Sequence, residues 1–429
     1  MRLTRQGGRP LRADRAGRVV VVGAGFGGLA VLAELARAGL QATLVDRHQY
    51  TTFQPLLYQV ATGGLNLEDV AFPVRTLLRR MRPGRFVRGD VIEVNWERHT
   101  IGLEDGTVLG FDHLVLATGA ATNFFGVDGA ARHALPLYTL TDAARLRELL
   151  ISQLEHAAVA SGGQPSLRVV VVGGGATGVE TAGALAELRH LLVGRDYPEL
   201  DRSDITLELL ERAPRLLSAF HPALSRYARK ELERRRVVVR TDCQVQAVRD
   251  GEILVSGTAP VPYDLLVWAA GVAVPDLPAY SGLARTPSGR LAVTPTLQLL
   301  HHPEAFAIGD VAGAESGGER PQLAQPAIQA GKHVARQLDR ISRGLPPLSF
   351  SYRDRGQMAT IGRRAAVAQL RAGVRLTGTV AWMAWLGLHL VELLGGRNRL
   401  SVLLNWSWRY LAWRRAAGLI PGPSADGGP

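Results

Sequence analysis

The residues of this chain best spaced to do chemistry are two glycine clusters, each followed by an acid. The first reads Val-Val-Val-Val-Gly23-Ala-Gly25-Phe26-Gly27-Gly28, and Asp46 stands about 20 residues beyond it. The second reads Val-Val-Val-Val-Gly173-Gly-Gly175-Ala-Thr-Gly178 and is followed by Glu211. Four valines read as a fully buried parallel strand, and the glycines permit a tight turn into a helix. Only glycine lets the main chain approach a pyrophosphate closely enough for the helix N-terminal N–H groups to bind it. An acid ending the next strand can accept hydrogen bonds from a ribose diol. One such motif is a weak signal. Two, each in strand–turn–helix context, imply two dinucleotides bound at once, and the natural pairing is a flavin with a nicotinamide.

The elements that must position these loops follow from the pattern around them. From Arg18 the order is strand, turn, helix over Leu29–Ala38, Gly39 as its C-cap, and a strand over Ala42–Val45. Phe53–Leu67 reads as a loop and short helix, Val87–Asp105 as two short strands, and Phe111–Thr118 as a buried strand. A polar helix around Thr141–Ala160 and a linker over Ser161–Pro165 come next. A second unit, Arg168 to about Ala273, then repeats the first: glycine motif, acid-ended strand Ile205–Leu210, antiparallel pieces, and Tyr263 to Gly271. Phe111-Asp-His-Leu-Val-Leu-Ala117-Thr118-Gly119 and Tyr263-Asp-Leu-Leu-Val-Trp-Ala-Ala270-Gly271 hold equivalent places, which points to an internal duplication. Over Arg290–Lys332 the chain returns to the first domain through Gly309-Asp310 and a helix carrying Gln325 and Gln329. The expected fold is α/β, with two Rossmann-like dinucleotide-binding domains, the second inserted in the first. Their expected extents are 18–125 with 286–345, and 166–285. Residues 1–17 read as a flexible leader and 346–429 as a separate C-terminal region.

Composition narrows the function classes. The net charge of +12 comes almost entirely from arginine, since Lys230 and Lys332 are the only lysines. Such a protein prefers anionic surfaces, and with two nucleotide loops present no nucleic acid partner is expected. The single cysteine, Cys243, permits no disulfide within the chain and excludes any redox mechanism needing two thiols. It reads as a small buried residue. His48, His301 and His302 have no metal spacing, and no metal is expected.

Several further segments make the chain resemble the type II NADH:quinone oxidoreductases, the single-subunit NADH dehydrogenases that pump no protons. They are Phe53-Gln54-Pro55-Leu-Leu-Tyr-Gln-Val-Ala-Thr, the Phe111–Gly119 strand, Gly173 to Glu180, Phe306-Ala-Ile-Gly309-Asp310, and Ala324-Gln325-Pro-Ala-Ile-Gln329. Met358-Ala-Thr-Ile-Gly is another. The resemblance implies FAD on Gly23, Gly25, Phe26, Gly27, Gly28, Asp46 and Arg47, with Asp310, beside Gly309, accepting from the ribityl chain. Asp310 also reads as a helix N-cap. Ala117, Thr118 and Gly119 would close a turn over the cofactor, and Gln54 and Pro55 would pass near its ring. NADH is implied on Gly173, Gly175, Gly178, Ala270 and Gly271. Glu211 would hold the ribose diol and repel a 2′-phosphate, favouring NADH, although Arg212 or Arg215 could swing in to balance such a phosphate.

Three residues draw catalytic expectations from the same resemblance. Glu180, read as lying in the first turn of a helix, is a dipole-favoured carboxylate on its own terms. The resemblance places it near the flavin as a proton donor or nicotinamide contact. Gln325 and Gln329 are four apart and share a helical face. That face is solvated surface by itself, but the resemblance implies that it lines a quinone site beside the FAD. The activity implied is oxidation of NADH through FAD with reduction of a membrane quinone to quinol. A ferredoxin- or rubredoxin-type NADH reductase and a flavin-based redox sensor are the alternatives. A sulfide:quinone oxidoreductase would need paired cysteines.

The C-terminal region differs in character. Leu376–Gly396 is long and apolar, but His389 and Glu392 interrupt it short of the ~20 residues of a span. Arg397, Arg399, Arg409, Arg414 and Arg415 alternate with Leu400–Leu404, Trp406, Trp408, Tyr410 and Trp413. Arginine with tryptophan and tyrosine suits the lipid headgroup zone, so helices lying on an anionic membrane are expected. This would place the protein peripherally on the cytoplasmic face of the cell membrane, beside a lipid-soluble quinone. The same helices also read as a homodimer surface.

Overall fold

The computed structural model describes residues 17–81, 84–159, 166–314 and 320–411. All of the expected leader but Gly17 lies outside the described residues, as do the linker Ser161–Pro165 and Trp413, Arg414 and Arg415. The chain divides into two compact units. One gathers the residues up to Thr51 with Phe72–Ala121 and Ala273–Asp354; the other gathers Thr52–Ala71, Thr122–Val272 and the chain from Arg355 on.

The first unit is built on an eight-stranded sheet. At its centre Val19–Val22 runs parallel to Ala42–Asp46 on one side and His113–Leu116 on the other, with Val21 opposite Leu44 and Val115. All four valines are buried, as a strand covered on both faces requires. The helix that follows spans Phe26–Ala38, starting three residues before the apolar periodicity does. Gly27 and Gly28 already lie in its first turn, where they pack without contributing side chains to a pattern. Gly39 ends it at φ 73°, as expected.

Val87–Asp105, expected as two short strands, holds Val91–Asn95 and Thr100–Leu103, with Gly84–Arg88 before them and Val108–Gly110 after. Gly84–Arg88 joins the parallel sheet, while Val91–Asn95, Thr100–Leu103 and Val108–Gly110 form an antiparallel one. His302–Ala307 returns beside His113–Leu116, delivering Gly309 and Asp310 to the end of the sheet.

The second unit repeats this plan in a five-stranded parallel sheet. Leu167–Val172 lies between Ile205–Leu210 and Leu265–Trp268. The repetition holds bond for bond. Ala117 N–H donates to the Val22 carbonyl and Ala269 N–H to the Val172 carbonyl, both at 2.8 Å. Gly23 N–H reaches Val45 and Gly173 N–H reaches Leu210, again both at 2.8 Å. Asp112 accepts the Arg18 N–H at 2.5 Å, and Asp264 accepts the Arg168 N–H at 2.6 Å. The helix expected to be polar, Leu140–Val159, buries Ala143, Leu146, Leu150 and Leu154 along one stripe, so it is amphipathic.

The chain from Arg355 is not helical throughout. It opens as an antiparallel sheet over Gly356–Gly362, Ala365–Leu370 and Arg375–Thr377. Two tail helices follow, Gly378–Glu392 and Gly396–Leu411. No helix among the described residues is long and apolar enough to cross a membrane.

Candidate functional site

In the first unit the glycine loop is closed by backbone contact. A Cβ on Gly28 would stand 1.9 Å from the Gly23 carbonyl oxygen, so no other residue fits. Asp46 accepts the Ala24 N–H at 2.6 Å and the His48 N–H at 2.7 Å, which ties the end of its strand to the loop. Two observations fit a pyrophosphate-bearing cofactor here. A Cβ on Gly25 would meet nothing within 4 Å, so the loop is open at the helix N-terminus. Gln325 Oε1, at the start of the Ala324–Ile341 helix, is buried with no hydrogen-bond partner.

The remaining first-unit candidates divide. Asp310 lies in the Gly309–Val311 turn, where burial pushes its carboxyl up to about 6 against the pull of Arg290. It caps no helix; the helix carrying Gln325 and Gln329 has Leu323 as its N-cap, without a side-chain cap. Thr118 bonds the Tyr280 hydroxyl, a partner with no signal in the sequence. The Arg47 guanidinium pairs with Asp90 at 3.1 Å. Gln325 and Gln329 share a helix as expected, but their amides differ. Gln329 donates to the Arg353 carbonyl at 3.0 Å and accepts the Arg353 N–H at 3.1 Å, so it clamps backbone. Gln54 and Pro55 fall in the second unit, in a single turn over Gln54–Leu56.

The second glycine loop copies the first. A Cβ on Gly178 would stand 1.8 Å from the Gly173 carbonyl oxygen, and one on Gly175 would meet nothing within 4 Å. Glu211 accepts the Gly174 N–H through one oxygen and the Ala213 N–H, at 2.6 Å, through the other. Arg215 donates to the carbonyls of Phe220 and Ser218, at 2.8 and 2.6 Å, and is held away from a swinging role. Gly271 accepts the Asn123 N–H at 3.0 Å, which anchors the Ala270-Gly271 turn. Cys243 is buried, as a small core residue should be.

The setting of Glu180 also differs from the one read in the sequence. It lies in the second turn of the Ala176–Leu192 helix, not the first, and is buried rather than exposed to the helix dipole. Gly183, one turn on, lets the Ile361 carbonyl approach the helix; a Cβ there would stand 2.2 Å from that oxygen. This contact brings the Gly356–Gly362 strand against Glu180, whose carboxylate accepts the Thr360 N–H at 3.1 Å. Burial dominates, and the carboxyl is pushed up to about 8. Beside it is a small cavity lined by Tyr58, Gln59, Glu187, Thr360, Trp382 and Trp385. Trp385 is 1% exposed, and its indole N–H has no hydrogen-bond partner. Trp382, Trp385 and His389 recur at helical spacing along the first tail helix, a signal that composition-based reading spends on the membrane.

The tail helices are bound into the second unit on one side. Asn398 donates to the Glu68 and Ala71 carbonyls, each at 2.9 Å, and Asn405 to the Asp69 carboxylate at 2.8 Å. Trp406 donates its indole N–H to Gln59 Oε1 at 2.8 Å. On the other side Val380, Met383, Val391, Leu400, Leu404 and Trp408 are exposed. Arg399 does not serve that outer face: its guanidinium donates to the Leu393 and Val391 carbonyls at 2.8 and 2.7 Å, ending the first tail helix.

Comparison with known proteins bears on both units. Residues 17–331 match the pyridine nucleotide-disulphide oxidoreductase family. A type II NADH:quinone oxidoreductase of Mycobacterium tuberculosis is 34% identical over 96% of this chain and 91% of its own length. An internal alternative NAD(P)H-ubiquinone oxidoreductase of Arabidopsis thaliana mitochondria is 29% identical over 92% of this chain and 84% of its own length. Among solved structures, that of NDH2 from Plasmodium falciparum in complex with NADH superposes with a TM-score of 0.86. That match covers 94% of this chain and 100% of the other at 20% identity, which shows a shared fold.

Proposed function

This chain belongs to the type II NADH:quinone oxidoreductases, within the pyridine nucleotide-disulphide oxidoreductase family, and we propose on that premise that it oxidises NADH through bound FAD and reduces a lipid-soluble quinone. The observation that carries the reading is the duplicated glycine loop. Each has an open helix N-terminus, at Gly25 or Gly175, and a carboxylate, Asp46 or Glu211, fastened to the turn. Two dinucleotides bound by one chain are what NADH-to-flavin transfer needs. Bound FAD supplies an acceptor for the nicotinamide's electron pair and a two-electron donor for the quinone.

The chain's own residues bind, orient and move protons. Helix N-terminal N–H groups at Gly25–Gly28 and Gly175–Gly178 hold the two pyrophosphates. Asp46 takes the adenosine ribose of FAD, and Asp310, a buried acceptor at the sheet's end, takes the ribityl hydroxyls. Gln325, with amide capacity to spare, would line the quinone site beside the FAD, while Gln329 steadies the segment at Arg353. Glu211 holds the nicotinamide dinucleotide's ribose diol and repels a 2′-phosphate, supported by Arg215 being tied elsewhere. Glu180, carrying its proton near neutral pH, is the proton source for quinol formation.

The exposed apolar side of the tail helices supports a peripheral seat on an anionic membrane, where a lipid-soluble acceptor is found. An anaerobic titration with NADH tests the whole reading. The purified protein should be yellow, bleach with NADH, and regain its colour when a quinone analogue is added. A colourless protein after reconstitution with FAD, or a reduced form indifferent to quinone, would refute it.

A further inference from the structure

Two tryptophans of the tail helices point their indole N–H groups into the second unit, and they end differently. Trp406 finds the Gln59 amide oxygen at 2.8 Å. Trp385, 1% exposed, finds nothing, although it lines the cavity beside Glu180 and lies close enough to favour that side chain's anion. A buried donor without an acceptor costs about 1–3 kcal/mol, so a folded protein retains one where it gains a partner in another state. Its ring is tightly held: it stacks on His389 at 3.9 Å and meets Tyr58 edge-on at 6.3 Å and Trp406 at 6.0 Å. The N–H direction is therefore fixed by packing.

We propose that Trp385 is a positioning residue for Glu180: when the carboxyl gives up its proton, the indole N–H becomes its second hydrogen-bond donor beside Thr360 N–H. The proton-loaded state leaves the indole idle, and the ionised state satisfies both groups at once. Trp385 thereby eases proton release from Glu180 without adding a charge to an apolar pocket. The inference rests on Glu180 as the proton source in the reading above. It adds that the helix with an exposed apolar outer side carries, on its inner side, the group that receives the spent carboxylate.

Other titratable groups are found near the cavity. The Leu57–Ala61 helix presents the Tyr58 hydroxyl, which accepts from Gln59 at 2.8 Å. Two turns along the Glu180 helix, Glu187 accepts the Arg363 N–H. Beyond Glu187, the Arg235 guanidinium, at the C-cap of the Pro222–Arg234 helix, donates to the Arg363 carbonyl at 3.3 Å. The first tail helix contributes His389, held neutral by burial down to about 4, its Nδ1 2.8 Å from the Trp385 carbonyl. The indole is thus a neutral donor lining the cavity beside the carboxylate, with no other hydrogen-bond partner to give up.

Difference infrared spectroscopy of the oxidised holoenzyme, titrated across pH, reads the proton on Glu180 directly through its carboxyl carbonyl stretch. The band is assigned by its loss in Glu180→Gln. In Trp385→Phe, which keeps the ring and loses the N–H, the titration midpoint should rise by about one pH unit. The alkaline limb of quinone reduction should rise with it. Replacing Trp385 with its benzothiophene isostere removes only the N–H and gives the same answer if the phenylalanine variant does not fold. A midpoint that stays in place or falls in whichever of the two folds overturns the proposal. The proton-source reading fails separately: an alkaline limb that persists in Glu180→Gln would remove Glu180 from catalysis, while the infrared midpoint would still decide whether Trp385 serves it.

Discussion

Gly28 lies so close to Gly23 that a Cβ would stand 1.9 Å from the Gly23 carbonyl oxygen, and Gly178 repeats this with Gly173 at 1.8 Å. The helix after each strand is thereby pressed onto the turn that precedes it.

The two contacts separate the two nucleotides. Gly28→Ala should weaken FAD binding by about ten- to a hundredfold, the effect of forcing a methyl into a closed contact. The protein would be isolated pale, and flavin absorbance per chain would measure the loss. Gly178→Ala should leave the yellow colour intact and raise the NADH concentration needed for bleaching by a similar factor. Equal loss of flavin in both variants would defeat the assignment of one nucleotide to each loop.

On the proposed reading Glu211 takes the ribose diol of the nicotinamide dinucleotide and opposes a 2′-phosphate. Removing the carboxylate in Glu211→Gln should narrow the preference for NADH over NADPH by roughly tenfold, mainly through better use of NADPH. The ratio of kcat/KM for the two nucleotides measures this, and an unchanged ratio would discredit the ribose assignment.

Glu180 also predicts a pH dependence of stability. Its folded carboxyl titrates near 8, against an unfolded value of 4.5. Below 4.5 both states hold the proton and the group is neutral to stability. As pH rises toward 8 the unfolded chain releases its proton and the folded one does not, so stability falls across that window and levels off above it. Glu180→Gln should therefore raise Tm relative to the parent at pH 8 and above and match it near pH 4. The expected gain is on the order of 1–3 kcal/mol. A difference independent of pH would mean that burial does not hold the proton.

The outer side of the tail predicts membrane attachment without touching the inner one. Val380 and Leu404 are 64% and 59% exposed. Changing both to glutamate should release the protein from anionic vesicles in a sedimentation assay, while turnover with a water-soluble quinone persists. Deleting the tail outright is a poorer test, because Asn398, Asn405 and Trp406 are bonded into the second unit. If the double variant still sediments with vesicles, attachment lies elsewhere.

How far reading the chain went follows from what kind of information each feature needs. The glycine loops, their valine strands, the Gly39 cap and the internal duplication were legible, because each is a local rule: a turn only glycine can make, or a run that must be buried on both faces. The acids Asp46 and Glu211 were legible as the residues that end the next strands. Glu180 was not. Its neighbours on the sequence say little about burial, which is imposed by Thr360, 180 residues away, and by Trp385 on a helix read as facing lipid. Gln325 and Gln329 look alike in sequence, and only the Arg353 backbone makes one a clamp and leaves the other open. Short-range chemistry, set by what a residue and its near neighbours can do, was written in the order of the amino acids. Desolvation and hydrogen-bond satisfaction depend on groups distant along the chain, and those only the tertiary structure decided.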